Sequence, residues 1–356
     1  MSGHRPRIAL VGATGAVGAV MLSILAERGF PAREIVAFSS ARSVGRTLAG
    51  VGEVQGLSEE SIAGFEIALF SAGAGVSREW APRFAAAGAI VIDNSSAWRM
   101  DEQVPLVVSE VNPGALEHIE RGIVANPNCV TMAIMLPLKA LHDAFGLQAI
   151  VATSFQAAGG AGQKGMDELA EQMPVLHAAR AQLVDDGARA VALVAHSVHA
   201  APLAYNVVPW LGSPAADGYS DEEMKLVNES RKILDLPELA VSPTKVRVPV
   251  MVGHAIELRA TFARPPVLEQ AIAALEAFPG LVLDPLPTPA GYAGRDEVAV
   301  GRIRPDLADA NSLNLFVVGD NLRKGAALNA VQIAELLCAR ELIGQRAAAN
   351  AAAATT

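Results

Sequence analysis

Arg7-Ile-Ala-Leu-Val11-Gly12-Ala-Thr14-Gly15-Ala16-Val17-Gly18 leads into an uncharged, largely apolar run to Ala26, which stops at Glu27-Arg28-Gly29. The stretch reads as a short apolar strand, Arg7–Val11, a glycine turn over residues 12–18, and a helix over residues 19–28 closed by Gly29. A signal peptide is the competing reading, because His4, Arg5 and Arg7 precede an apolar segment. Gly12, Gly15 and Gly18 weaken a continuous helix, and no clear cleavage site follows. Strand, turn and helix is the better account.

The same alternation continues downstream. Strands are predicted at 35–38, 67–71, 89–93 and 122–125, with a helix at 77–87. Strands alternating with helices imply a parallel sheet with right-handed crossovers. The second half differs: residues 149–156 and 255–262 read as strands of a mixed sheet, with helices at 165–172, Asp221–Leu234 and 267–277. Proline-rich segments at 202–214 and 279–289 read as loops. An amphipathic helix at 325–343 is expected to return to the first domain. The expected fold is α/β: a Rossmann-type dinucleotide-binding domain (1–128 and 324–346), an α+β catalytic and dimerisation domain with a mixed sheet (129–323), and a low-complexity tail (347–356).

Composition narrows the function. The 356 residues are 51% hydrophobic and 18% charged, with a net charge of -9, which argues against nucleic acid or an anionic membrane as partner. Two cysteines without paired spacing point to a reducing, cytoplasmic setting. The seven histidines show no metal-ligand spacing beyond the short pair His196 and His199, so no metal is expected.

The run Gly12-x-x-Gly15-x-x-Gly18, with Thr14, Ala16 and Val17 between its glycines, follows a strand and opens a helix. That is the context of a dinucleotide fingerprint: glycines admit the pyrophosphate, and the helix N-terminus binds it. An NAD site needs an acid at the end of the second strand for the ribose hydroxyls. This chain offers Ser39, Ser40, Arg42 and Ser43, a cation with three hydroxyls, which suits the 2′-phosphate of NADP. Ser71 and Gly73, after the third strand, complete the expected cofactor set. A tight turn without ligand and a solvated arginine are the bland alternatives.

Cys129 stands in Asn126-Pro-Asn128-Cys129-Val-Thr131, between a strand-like and a helix-like run. A thiol at a helix N-terminus is favoured as the nucleophilic thiolate. The alternative is an inert buried thiol, the reading preferred for Cys338, which lies at helical spacing with Ile333, Ala334 and Leu337.

These stretches, with Asp93-Asn-Ser-Ser-Ala-Trp-Arg99, Ser154-Phe-Gln156, Glu222-Glu-Met-Lys225, Arg247 to His254 and Asp320-Asn321-Leu-Arg-Lys324, resemble aspartate-semialdehyde dehydrogenase of the bacterial type, in family order over nearly the whole chain. The Ser-Cys-Thr-Thr-Asn motif of glyceraldehyde-3-phosphate dehydrogenase is absent. The resemblance implies reversible, NADPH-dependent conversion of 4-phospho-L-aspartate to L-aspartate 4-semialdehyde and inorganic phosphate, by a homodimer, towards lysine, threonine and methionine. It makes Cys129 the nucleophile, His254 the general acid/base, and Gln156 the group orienting the acyl chain. Asn128 is assigned to the oxyanion, Arg247 to the substrate carboxylate, Arg99 and Lys225 to phosphate, and Glu222 to the substrate amine or the neighbouring cations. Gly159, Gly160, Gly162 and Asn321 fall on the nicotinamide side. One departure is Gly159 of Gly159-Gly160-Ala161-Gly162, where the family usually has serine. Another acyl-phosphate reductase, such as N-acetyl-γ-glutamyl-phosphate reductase, and a non-catalytic paralogue are the alternatives.

Overall fold

The computed structural model describes residues 4–343 and divides into two compact units. The first holds the chain up to Asn128, Lys232–Leu234 and the chain from Gly325 onward; the second holds Cys129–Arg231 and Asp235–Lys324. The predicted tail lies outside the described residues.

In the first unit, five strands run β1 (Arg7–Val11), β2 (Glu34–Phe38), β3 (Ile67–Phe70), β4 (Ile90–Asp93) and β5 (Ile123–Ala125). They form one all-parallel sheet in the order β2-β1-β3-β4-β5. Ile8, Leu10, Ile67 and Leu69 are fully buried, as strands covered on both faces require. The order reverses between β1 and β3, so the crevice for a ligand opens at their carboxyl ends. Helix α1 (Ala16–Glu27) starts three residues earlier than predicted. Gly15 is itself the extended N-cap, so Ala16 and Val17 already belong to the first turn.

The C-terminal helix, Leu328–Ala339, buries Leu328, Val331, Ile333, Ala334 and Leu337 in the same core as Leu10, Met21, Ile24 and Ile92. It is shorter than the predicted 325–343, because a π-helical turn, Arg323–Ala327, precedes it. Asn329, wholly buried, donates to Val107 O (2.9 Å) and Asn126 Oδ1 (2.6 Å) and accepts from Ser109 N (3.0 Å).

The second unit is built on a six-stranded mixed sheet. Its strands are β6 (Leu147–Gln156), β7 (Ala240–Arg247), β8 (His254–Phe262), β9 (Leu281–Leu283), β10 (Val298–Pro305) and β11 (Ser312–Gly319), in the order β9-β10-β11-β8-β6-β7. Four of these, β7, β9, β10 and β11, were not predicted. Pro243, Lys245 and Arg247 in β7 and Asn314 in β11 blur their hydrophobic alternation. The predicted loop 279–289 contains β9, which needs only three residues to pair in parallel with Val298–Val300.

The helix Cys129–Phe145 packs across β6, β8, β10 and β11, with twelve of its seventeen residues buried. It therefore covers the sheet face to which Ile150, Ala152, Ser154 and Gln156 turn. On the opposite face Val151, Thr153 and Phe155 remain partly or fully exposed. Among the described residues no helix is long and apolar enough to cross a membrane.

Candidate active site

The first unit carries a cavity of about 530 Å³ at the switch between β1 and β3. Gly12, Thr14, Gly15, Ser39, Ser40, Arg42, Ser43 and Ser71 line it, joined by Arg46 and Trp80, which the sequence reading missed. Two glycines are dictated by space. A Cβ on Gly12 would lie 2.2 Å from Ser71 O, and Gly12 also holds φ +87°. A Cβ on Gly18 would lie 2.2 Å from Gly12 O. The amides opening α1 have no side-chain cap, and its first turn has no acid, so its positive end is left to a ligand anion. Thr14 Oγ1 lies 2.7 Å from Ser39 Oγ and donates to Ser43 Oγ (3.3 Å), tying the glycine turn to the end of β2. Ala16, Val17 and Gly18 form the first turn of α1 behind that wall. Gly73 is the N-cap of the helix Ala74–Ala86, at φ +82°. Arg42 and Arg46 are cations of this cavity and, among the described residues, no acid lines it, so the residues present fit an anionic dinucleotide.

Arg99 and Asn128 also belong to this unit. Arg99 is nearly buried, and its guanidinium donates to Asn126 O (2.9 Å) and Asn94 O (2.8 Å), bracing the segment that leads to Cys129. Cys338 is half-buried rather than a true core residue. Burial, with Glu66 and Glu335 nearby, pushes its thiol up to about 11, which favours the protonated form at neutral pH.

The second unit gathers the remaining side chains. Strand β6 runs between β7 and β8, and its last residue, Gln156, pairs with Arg247, the last residue of β7. Phe155 pairs with Ala255, which brings His254, the first residue of β8, to the other side of Gln156. Arg247, Gln156 and His254 thus form one transverse row on the face covered by the Cys129 helix. A bend between Arg247 and His254 is what their spacing of seven demands, and the chain turns there through Gly253 at φ +96°. Gly253 N donates to Asn321 Oδ1 (2.8 Å).

Cys129 is the first residue of its helix, and its Sγ lies 3.1 Å from His254 Nε2. One backbone position locks the neighbours. Ala157 N donates to His254 Nδ1 (3.0 Å), and Ala157 O accepts from Arg247 Nη1 (2.6 Å). The neutral ring therefore carries its proton on Nε2, facing sulfur. Burial, then the positive charges of Arg247 and Lys245, drive His254 down to about 3, so the ring is neutral at working pH. Negative charge on sulfur is balanced instead by the helix terminus and Arg247. Gln156 Nε2 donates to Ser154 Oγ (3.1 Å), which fixes its amide.

The family's glycine loop is a 3-10 turn, Ala158–Ala161. A Cβ on Gly160 would sit 2.7 Å from Arg247 Nη1 and 3.2 Å from His254 Cε1, so glycine keeps those groups together. A Cβ on Gly159 would meet Met251 O at 2.8 Å, which accounts for the missing serine: this loop runs too close to residues 250–251. Gly162 ends the turn at φ +74° and caps the helix Gln163–Ala178.

Glu222 and Lys225 lie on the helix Asp221–Leu234, which opens with a capping box between Ser220 and Glu223. Lys225 pairs with Glu222 Oε1 and with Asp221 Oδ2 (3.1 Å). Lys245, overlooked in the sequence, reaches Glu222 Oε2 at 3.4 Å. Burial would raise the Glu222 carboxyl, but Lys245 and Lys225 overrule it and hold it down at about 2. Lys245 stands two residues before Arg247, so a strand reading of that segment would have put both on one face. No cluster of three His, Cys, Asp or Glu suited to a metal occurs among the described residues.

In sequence and fold the chain is similar to known proteins. Residues 7–119 match the family model described as semialdehyde dehydrogenase, NAD binding domain, and residues 138–324 match semialdehyde dehydrogenase, dimerisation domain. The chain is 51% identical to the aspartate-semialdehyde dehydrogenase of Streptomyces akiyoshiensis, over 94% of this chain and 98% of that one. It is 50% identical to the enzyme of Mycolicibacterium smegmatis, over 93% and 99%. The crystal structure of aspartate semialdehyde dehydrogenase II from Vibrio cholerae matches with a TM-score of 0.87 at 42% identity, over 94% of this chain and 99% of that one. With identity of this extent along both units, the chain belongs to the aspartate-semialdehyde dehydrogenase family.

Proposed function

We propose that the chain interconverts L-aspartate 4-semialdehyde, phosphate and NADP with 4-phospho-L-aspartate and NADPH. The observation that carries this reading is the Cys129 sulfur at a helix N-terminus, 3.1 Å from a buried, neutral His254 in one row with Gln156 and Arg247. In the reductive direction the Cys129 thiolate attacks the acyl phosphate carbon, the carbon–oxygen bond to phosphate breaks, and a thioester remains. The dinucleotide, held by the Gly12–Gly18 turn and the end of β2, supplies hydride when bound. Hydride addition leaves a thiohemiacetal oxyanion, which His254 steadies as the acid group by donating a hydrogen bond from its Nε2–H; collapse of the oxyanion breaks the carbon–sulfur bond and releases the aldehyde and the Cys129 thiolate. Gln156 orients the acyl group, and the planar guanidinium of Arg247 takes the α-carboxylate. Asn128 and backbone amides at the helix start steady the oxyanion.

Phosphate falls to Lys225 and Arg99. NADP is preferred over NAD because Arg42 and Arg46 accompany three serines where an acid would otherwise hold the ribose. A homodimer follows from the family model's description as a dimerisation domain, and the partly exposed sheet face with Val151 is the surface offered for it. The substrate reading is favoured over another acyl phosphate because the Vibrio cholerae relative has been solved in complex with ASA. Phosphate-dependent reduction of NADP by L-aspartate 4-semialdehyde is the test. Activity that needs phosphate and disappears in Cys129→Ala supports reaction and nucleophile together. An inactive wild type that still binds NADP overturns the substrate assignment.

A further inference from the structure

Lys245 has no part in the chemistry above, yet it is one of the largest fully buried side chains, with 1% of its side chain exposed. A buried ammonium is costly unless it is paired. Its place follows from the register. On β7 it pairs with Ser154 as Arg247 pairs with Gln156, so it occupies the row next to the one holding Arg247, Gln156 and His254, on the same face. The helix carrying Glu222 and Lys225 is pinned to that position, because Glu223 Oε1 accepts from Lys245 N (3.0 Å).

The charges form a chain. Lys245 Nζ meets one oxygen of Glu222, and Lys225 meets the other while also reaching Asp221. Glu222 is thus stretched between a buried and a half-buried lysine. With Lys245 present, the carboxylate divides its charge, and Lys225 keeps positive field for an anion. Without it, Glu222 and Asp221 together would neutralise Lys225.

We propose that Lys245 is a positioning residue that takes the second oxygen of Glu222, so that the carboxylate's charge is shared and Lys225, though paired with the first oxygen, keeps positive field for phosphate. The inference rests on the assignment of phosphate to Lys225. Steady-state kinetics in the semialdehyde-oxidising direction, with phosphate varied, tests both. Lys245→Met is expected to raise the KM for phosphate about tenfold or more, a larger factor than its fall in kcat. Lys245→Arg restores most of it. In a Glu222→Gln background Lys245→Met has little further effect on that KM, since the carboxylate it restrains is gone. This double variant also relieves the unbalanced buried carboxylate, so the comparison survives if Lys245→Met alone folds poorly. A rise in phosphate KM in Lys225→Met but none in Lys245→Met overturns the role of Lys245 alone. No rise in Lys225→Met overturns the phosphate assignment. An equal effect of Lys245→Met with and without Glu222 shows that it does not act through Glu222, and also overturns the inference.

Discussion

Two residues test how tightly the reacting groups are held. Gly160 is not at a positive φ; it is glycine because Arg247 and His254 fill the space a Cβ would take. Gly160→Ala therefore pushes the guanidinium and the imidazole off their shared anchor at Ala157 without straining the backbone. A displacement of this size costs on the order of 10²-fold in kcat, with dinucleotide binding intact. Wild-type kcat in the variant would show the spacing is not needed. His254 tests the electrostatics. Its value falls from 6.5 to about 3 in the fold, so between those pH values the unfolded chain binds a proton that the folded chain excludes. Stability associated with the neutral ring is complete above about pH 6.5. It is lost as pH falls towards 3, at up to about 1.4 kcal/mol per pH unit. Glu222 is depressed from 4.5 to about 2 and loses its contribution at lower pH, which leaves pH 7 to 5 to the histidines; His199 is also lowered by burial, so the His254 part is read as the difference between wild type and variant. Urea midpoints over that range should fall more steeply for the wild type than for His254→Gln. Parallel slopes would mean that the ring binds its proton as readily in the folded chain as in the unfolded one.

At the scale of elements, the turn between β1 and α1 separates two reasons for glycine. A Cβ on Gly18 meets only backbone, Gly12 O at 2.2 Å and Ala13 Cα at 2.8 Å, so the helix must move away from the turn. A Cβ on Gly15 finds nothing nearer than Gly12 O at 3.4 Å. Gly18→Ala should cost about 1–3 kcal/mol in the ligand-free protein and Gly15→Ala little, by thermal melting. Equal costs would refute the close packing of α1. This turn was legible because glycine spacing and the change from strand to helix period coincide in a dozen residues. The helix Asp221–Leu234 was read at its observed bounds, and the structure opens it with a capping box of Ser220 and Glu223. Strand β7 was not, because its inward residues include Lys245 and Arg247, whose burial depends on partners far away in sequence. The candidate site divides along the same line. A thiol at a helix start can be read locally. The row of Gln156, Arg247 and His254 exists only through the register of three strands, and their roles entered through resemblance. Lys245 had neither support and passed unnoticed.

For the whole molecule, the nucleotide unit is assembled from both ends of the chain. Its parallel sheet and α1 come from the first 128 residues, but the core of Leu10, Met21 and Ile24 is completed by residues such as Leu328, Val331 and Leu337, some three hundred residues later. Apolar packing is nondirectional and would let that helix slide. The buried amide of Asn329 fixes its register, bonding at once to Val107 O, Asn126 Oδ1 and Ser109 N. The same Asn126 receives Arg99 on its carbonyl, so this amide also steadies the backbone just before Cys129. Asn329→Leu keeps the volume and removes these bonds together with the one accepted from Ser109 Oγ (2.9 Å), leaving buried polar groups without that partner. The cost should be about 3 kcal/mol or more, a fall in the melting temperature of roughly 6–12 °C. Hydrogen exchange should locate the loss in β4, β5 and the C-terminal helix, and spare the mixed sheet of the second unit. A variant that melts like the wild type would show that apolar burial alone docks the helix. A loss spread equally over both sheets would show that the units unfold as one.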